Sequence, residues 1–115
     1  MKLKTIIDKL ALSVRCGENN LDQEATGGFA SDLLSNAIAD CKKGDIWITV
    51  QIHANIVAVA VLKELSAVII VQGREPADEL IRKAKEENVT ILVSGLTAYE
   101  TAGKLYQLGV GVSPS

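Results

Sequence analysis

Apolar positions along the chain fall into short blocks, and in the second half these blocks repeat a strand followed by a helix. Three apolar runs predict strands, at residues 46–51, 67–71 and 90–93. Segments with helical periodicity follow them, at residues 54–65, 76–88 and 97–109. Consecutive β–α–β units give parallel strands with right-handed crossovers. We therefore predict an α/β fold with a mainly parallel sheet and helices on both faces.

The first thirty residues carry a less regular pattern. Apolar residues at positions 3, 6, 7 and 10 have helical spacing, which predicts a short amphipathic helix over residues 3–11. A short strand is expected at residues 13–16. The segment from residue 17 to residue 30 is polar and begins with turn-forming residues, so we predict an irregular structure there.

A further helix is predicted to begin at Ser31. Ser31 would be its N-cap, and Asp32 would lie in the first turn, where a negative charge interacts favourably with the helix dipole. The helix would end at Lys42-Lys43-Gly44, which combines positive charge with a glycine stop. Its apolar stripe is expected to consist of Leu33, Leu34, Ala37 and Ile38.

The helices of the second half differ in their apolar faces. The segment 54–65 is apolar on almost every face, so it must be deeply buried or lie against a second subunit. We therefore predict a homodimer, the commonest symmetric assembly. Pro76 is expected at the first position of the next helix. Thr97 and Glu100 predict a capping box at the start of the last helix. The inward residues of that helix are expected to be Ala102, Leu105 and Tyr106.

Composition narrows the class of protein. Hydrophobic residues make up 48% of the 115 residues, but only four residues are aromatic, so the core must be mainly aliphatic. We predict one domain spanning residues 1–115, with a core at about 3–109 and a frayed tail at 110–115. The net charge is −2 and there is no basic run, which argues against nucleic-acid binding.

The chain carries no pattern of membrane insertion or secretion. Asp8 and Lys9 interrupt the N-terminal apolar residues, and the longest apolar run, 56–62, is too short to cross a bilayer. Cys16 and Cys41 form no C-x-x-C motif. We therefore expect a cytoplasmic protein with buried free thiols, no metal site and no cofactor.

Polar residues gather where the predicted strands end and the next helices begin. Ligands of open parallel sheets bind beyond the carboxyl ends of the strands, and helix N-termini at that edge offer N–H groups to anions. We therefore expect a small anionic metabolite or nucleotide to bind there. The candidate ligand-binding residues are Gly27, Gly28, Ser31, Asp32, Gln51, His53, Asn55, Gly73, Arg74, Ser94 and Thr97.

Several of these residues have a structural alternative. His53 is the only histidine; it is either a general base or ligand contact, or a cap of the helix that follows it. Arg74 either clamps a phosphate or carboxylate, or is a solvated loop residue. The sequence contains no G-x-x-x-x-G-K-[ST], G-x-G-x-x-G or G-x-S-x-G motif, so no catalytic residue is assigned.

Two segments, residues 27–35 and 44–60, resemble the DRTGG domain, which is similar to the N-terminal domain of HPr kinase/phosphorylase. The segment Gln72-Gly73-Arg74-Glu75-Pro76 and the last two strand–helix units fit the same pattern, so the resemblance covers roughly residues 3–109. Of the string that gives the family its name, only Thr26-Gly27-Gly28 is echoed.

The resemblance implies a regulatory or architectural role. DRTGG domains accompany CBS pairs, a phosphate acetyltransferase or the HPr kinase domain, and stand-alone relatives imply a redox-enzyme partner. Kinase activity is not carried over, because the P-loop of that enzyme lies in a catalytic domain outside the resemblance. We expect a non-catalytic regulatory domain that binds a small ligand, a protein partner or both. The alternatives are a small enzyme or phosphotransfer accessory using His53, and a structural accessory of a hydrogenase-like complex.

Overall fold

The computed structural model of the chain describes residues 1–112 and shows a five-stranded sheet between two helical layers. The helices are α1 (Leu3–Leu10), α2 (Leu34–Asp40), α3 (Asn55–Leu62), α4 (Asp78–Glu87) and α5 (Ala98–Gln107). The strands are β1 (Ser13–Cys16), β2 (Gly27–Ala30), β3 (Asp45–Thr49), β4 (Ala67–Ile70) and β5 (Ile91–Val93). One 3₁₀ turn, Glu18–Asn20, follows β1.

The strand order is β1-β5-β4-β3-β2, and the four strands from β2 to β5 are parallel. Only β1, at one end of the sheet, runs antiparallel to its neighbour β5. This confirms the predicted α/β fold with a mainly parallel sheet. The chain moves across the sheet in one direction from β2 to β5, so right-handed crossovers place the connecting helices on one face.

Two hydrophobic clusters, one on each face of the sheet, hold these layers together. Because alternate strand residues point to opposite faces, Trp47 joins the cluster under α2, α3 and α4, whereas Ile46 and Ile48 join the cluster under α1 and α5. Every residue of β4 is at most 1% exposed, because strands flank it on both sides and helices cover both faces. The core is mainly aliphatic, as the composition predicts.

The structure differs from the sequence-based prediction most between residues 27 and 40. Gly27–Ala30 form β2, in a segment for which an irregular structure was expected. Ser31 is not an N-cap, because α2 begins at Leu34 and its N-cap is Leu33. Ser31 Oγ instead accepts a hydrogen bond from the Leu33 N–H at 3.2 Å, and Asp32 precedes the helix.

Other differences concern the helix ends and the apolar faces. Leu33 and Ile38, expected in the buried stripe of α2, are 66% and 43% exposed, and α2 ends before Lys42. Tyr106, expected to face inward, is 69% exposed. Pro76 precedes α4, whose first residue is Asp78. Within the predicted tail, 110–115, Val110 is 8% exposed and belongs to the core, and residues 113–115 lie outside the described residues.

Candidate functional site

The loops that follow β2, β3, β4 and β5 meet at one edge of the sheet, which we call the carboxyl edge. Because these four strands are parallel, the segments at 31–33, 50–54, 71–77 and 94–97 all begin there. His53 and Arg74 therefore lie at the same edge of the sheet. Gly27 and Gly28 pair with the first two residues of β3, so the structure places them toward the opposite edge.

Asp32 connects the ends of β2 and β3. Its Oδ1 accepts hydrogen bonds from the Val50 N–H at 2.9 Å and from Thr49 Oγ1 at 3.1 Å. The Gln51 side chain donates to the Asp32 carbonyl at 2.9 Å. Ser31 contributes its carbonyl, which accepts from Trp47 Nε1 at 2.8 Å. Ser31, Asp32 and Gln51 thus make contacts that fix two loops.

The loop after β4 is bonded to the loops on both sides of it. The Arg74 guanidinium donates to the Val50 carbonyl, which links this loop to β3. On the other side, the N–H of Gly73 donates to the Ser94 carbonyl at 2.8 Å. Gln72 and Gly73 both have φ of 63°, a left-handed turn that glycine adopts readily and glutamine rarely. Arg74 remains exposed, so part of its guanidinium faces solvent at the carboxyl edge.

An ion pair between Arg15 and Glu75 lies next to Arg74 in the chain. Arg15 of β1 donates to both carboxylate oxygens of Glu75, at 2.9 and 2.6 Å. This hydrogen bond with Arg15 lowers the pKa of the Glu75 carboxyl below its usual range. The sequence analysis missed the pair, because 60 positions separate the two residues and no periodicity relates them.

Ser94 and Thr97 organise the start of α5. Ser94 is 1% exposed; its Oγ accepts from the Leu96 N–H and shares a hydrogen bond with Thr101 Oγ1, each at 3.1 Å. Thr97 Oγ1 accepts from the Glu100 N–H while the Glu100 side chain accepts from the Thr97 N–H, which confirms the predicted capping box. Both hydroxyls are therefore engaged within the chain.

No side chain caps the start of α3, as is also the case for α1, α2 and α4. The N-cap residue of α3 is Ala54, and neither His53 nor Asn55 caps the helix with its side chain. Both of these side chains are exposed. The cap that was the structural alternative for His53 is thus not formed. The exposed side chains among the predicted site residues at the carboxyl edge are those of Asp32, His53, Asn55, Arg74 and Thr97. Asp32, Arg74 and Thr97 already make hydrogen bonds within the chain.

Neither Cys16 nor Cys41 is a candidate for a reactive thiol. Both thiols are buried, at 3% exposure, and burial raises the pKa of Cys16 and raises the pKa of Cys41 to about 11. Within residues 1–112, no group of three or more His, Cys, Asp or Glu side chains is arranged to hold a metal ion.

An apolar groove between α3 and α4 was also missed as a specific feature. Its volume is about 350 Å³, and it is lined by Ala54, Val57, Ala58, Val61, Leu62, Lys83 and Glu87. The sequence showed that α3 is apolar all round, but not which of its faces stays uncovered. None of the helices in the described part of the chain is long and apolar enough to span a bilayer.

Comparison with known proteins identifies the family. The model of the DRTGG domain matches residues 5–108. A similar solved structure comprises the CBS and DRTGG domains of the regulatory region of Clostridium perfringens pyrophosphatase, complexed with its activator diadenosine tetraphosphate. The TM-score is 0.70 at 20% identity, over 92% of this chain and 46% of that chain, so the chain spans about half that length. Among curated proteins, no match is found. The chain belongs to the DRTGG domain family.

Proposed function

We propose that this chain is a regulatory domain without catalytic activity of its own, and that it binds a small anionic metabolite or nucleotide at the carboxyl edge. The observation that carries the proposal is that His53, just before α3, and Arg74, on the neighbouring loop, are both exposed at this edge. The N-terminus of α3 adds the positive end of a helix dipole, which favours an anion. The N–H groups of Ile56 and Val57 donate to the carbonyls of His53 and Ala54, so the side chains of His53 and Arg74 are the main contacts proposed for the ligand. The planar guanidinium of Arg74 has N–H groups arranged to donate parallel hydrogen bonds to a phosphate.

The related structure supports an anion as the ligand class. The pyrophosphatase regulatory region is complexed with diadenosine tetraphosphate, a polyphosphate. That region also contains CBS domains, so the likeness supplies the type of ligand to be tested rather than its place on this chain. In this chain, Arg74 is already oriented by the Val50 carbonyl, and an oriented cation loses less side-chain entropy on binding.

A thermal-shift titration tests this function with diadenosine tetraphosphate, ATP, AMP and pyrophosphate as probes. At least one probe is expected to raise the melting temperature in a saturable way. Arg74→Gln should weaken that binding about tenfold or more, by removing a charge-assisted contact, and His53→Ala should weaken it by removing a hydrogen-bonding group. Lys104→Gln is the matched control, because Lys104 is exposed on α5 away from the loops at the carboxyl edge. No shift with any probe at millimolar concentration would contradict the proposal.

The small-enzyme alternative gives a different outcome for the same variant. If His53 were a general base, His53→Ala would abolish turnover of a substrate while leaving its binding largely intact. Under the proposal, wild-type protein shows no turnover of the probes above background, and His53→Ala changes only binding. The hydrogenase-like partner rests on the family resemblance alone, and stable co-purification with a purified hydrogenase subunit would support it.

The domain is also proposed to associate with a second copy of itself. Val61 and Leu62 of α3 are 44% and 65% exposed, and Ile38 of the adjacent α2 is 43% exposed. Large aliphatic side chains grouped on one layer are typical of an interaction surface. Covering a Val or Leu side chain fully stabilises an assembly by roughly 1.5–3 kcal/mol before association costs.

A further inference from the structure

We infer that the groove between α3 and α4 is a twofold interface, at which two copies of this chain dock with Lys83 of each opposite Glu87 of the other. This inference rests on the proposed self-association and does not depend on the ligand site at the carboxyl edge.

The floor of the groove is a helical stripe that nothing covers. Ala58, Val61 and Leu62 follow one another at the i, i+3, i+4 spacing of one helix face, and all three are exposed. The opposite face of α3 is buried, with Ile56 and Val59 at 0% and 5% exposure. The sheet covers one apolar face of α3 and leaves the other apolar face exposed.

The rim of the groove carries one charge of each sign, which favours a second copy of the chain as its occupant. Lys83 and Glu87 are both exposed, lie on α4 and are one helical turn apart. A twofold axis perpendicular to α4 between them sets the two α4 helices antiparallel. Each Lys83 then meets Glu87 of the partner subunit, so two ion pairs form from one pair of residues. A partner surface that carried only positive charge would be repelled by Lys83, and one that carried only negative charge would be repelled by Glu87.

A dimer interface needs more area than the groove supplies by itself. A standard protein–protein interface takes about 800 Å² from each partner, which is roughly an eighth of the 6175 Å² surface of this chain. The groove alone is smaller than that. The helix α2 packs against α3 on the same layer, and its exposed Ile38 offers further apolar area to a partner. The small side chain of Ala58 allows the two backbones to approach closely.

Reversal of the two charges tests the pairing. Sedimentation equilibrium of the wild-type chain should give twice the monomer mass of 12.2 kDa. Lys83→Glu and Glu87→Lys should each weaken the dimer at least about fivefold, because each turns two attractions into two repulsions. The double variant Lys83→Glu/Glu87→Lys should restore the wild-type affinity, since the pairs reform with exchanged signs. Lys104→Glu, on α5, is the matched control and should leave the affinity unchanged.

A second variant tests the apolar floor. Leu62→Asp places a charge on a side chain that is 65% exposed, so the monomer should fold, with an unchanged circular dichroism spectrum, but fail to dimerise. A wild-type monomer at 100 µM and higher concentrations would overturn both the self-association and this interface. A dimer that tolerates Leu62→Asp and both charge reversals would overturn the interface while leaving self-association intact.

Discussion

Asp32 shows how one exposed acidic side chain stabilises two loops. Its carboxylate accepts the N–H of Val50 and the hydroxyl of Thr49, and Thr49 is only 1% exposed. Asp32→Ala should lower the free energy of unfolding by about 1–3 kcal/mol, because two donors lose a charged acceptor. Asp32→Asn keeps one acceptor oxygen and should lose less. Urea denaturation measures both, and an unchanged midpoint for Asp32→Ala would contradict the structural role.

The thiol of Cys41 should be unreactive in the folded protein. Burial, together with the nearby Asp45 carboxylate, raises its pKa to about 11 from an ordinary 9.0, so the thiolate fraction at pH 8 falls about a hundredfold. In a Cys16→Ala background, alkylation by iodoacetamide should therefore be at least that much slower than in denaturant. Folded and unfolded protein reacting at similar rates would show that the thiol is accessible.

The sequence predicted which loops meet at the carboxyl edge, but it placed Gly27 and Gly28 there as well, and it did not show what each side chain bonds to. Parallel strands place His53 and Arg74 at one edge, and the sequence predicts this from the order of strands and helices alone. The sequence does not show that Ser94 bonds Thr101, or that Asp32 bonds the N–H of Val50. Those bonds depend on which loops become neighbours, so tertiary structure decides which polar side chains remain available to a ligand.

At the level of elements, α5 has the clearest local determinant. The capping box of Thr97 and Glu100 satisfies two N–H groups at the start of the helix. Thr97→Ala should destabilise the domain by about 1 kcal/mol, within a usual range of about 0.5–2 kcal/mol. Thr97→Ser keeps the hydroxyl and is the control. Thermal denaturation measures both variants; equal stability of Thr97→Ala and wild type would indicate that the cap contributes nothing.

The elements that the sequence predicted poorly are those with little local preference. Gly27 and Gly28 have low strand propensity, and β2 forms because its backbone pairs with β3. In α2, Ala37 is the one buried residue of seven, so the apolar stripe that the sequence shows does not mark a buried face. By contrast, β4 and the capping box of α5 were predicted correctly, since a continuous apolar run and a side-chain cap are visible in the sequence itself.

For the whole molecule, stability should fall from the centre of the sheet outward. β4 is buried throughout, is paired on both sides and is covered on both faces, so its amides should exchange with solvent only when the entire domain unfolds. β2 is an outermost strand of the sheet, and α2 buries only one side chain. Both should therefore open locally at a lower free-energy cost than β4. Hydrogen exchange by mass spectrometry should show residues 67–70 protected at least about a hundredfold longer than residues 34–40, which corresponds to about 2.7 kcal/mol.

Mild urea should narrow this difference, because global unfolding exposes more surface than local opening and responds more strongly to denaturant. Equal protection of the two segments would mean that α2 unfolds only together with the core. Repeating the exchange with Leu62→Asp, which should prevent dimerisation, would then show whether an interface covering Ile38 causes that protection.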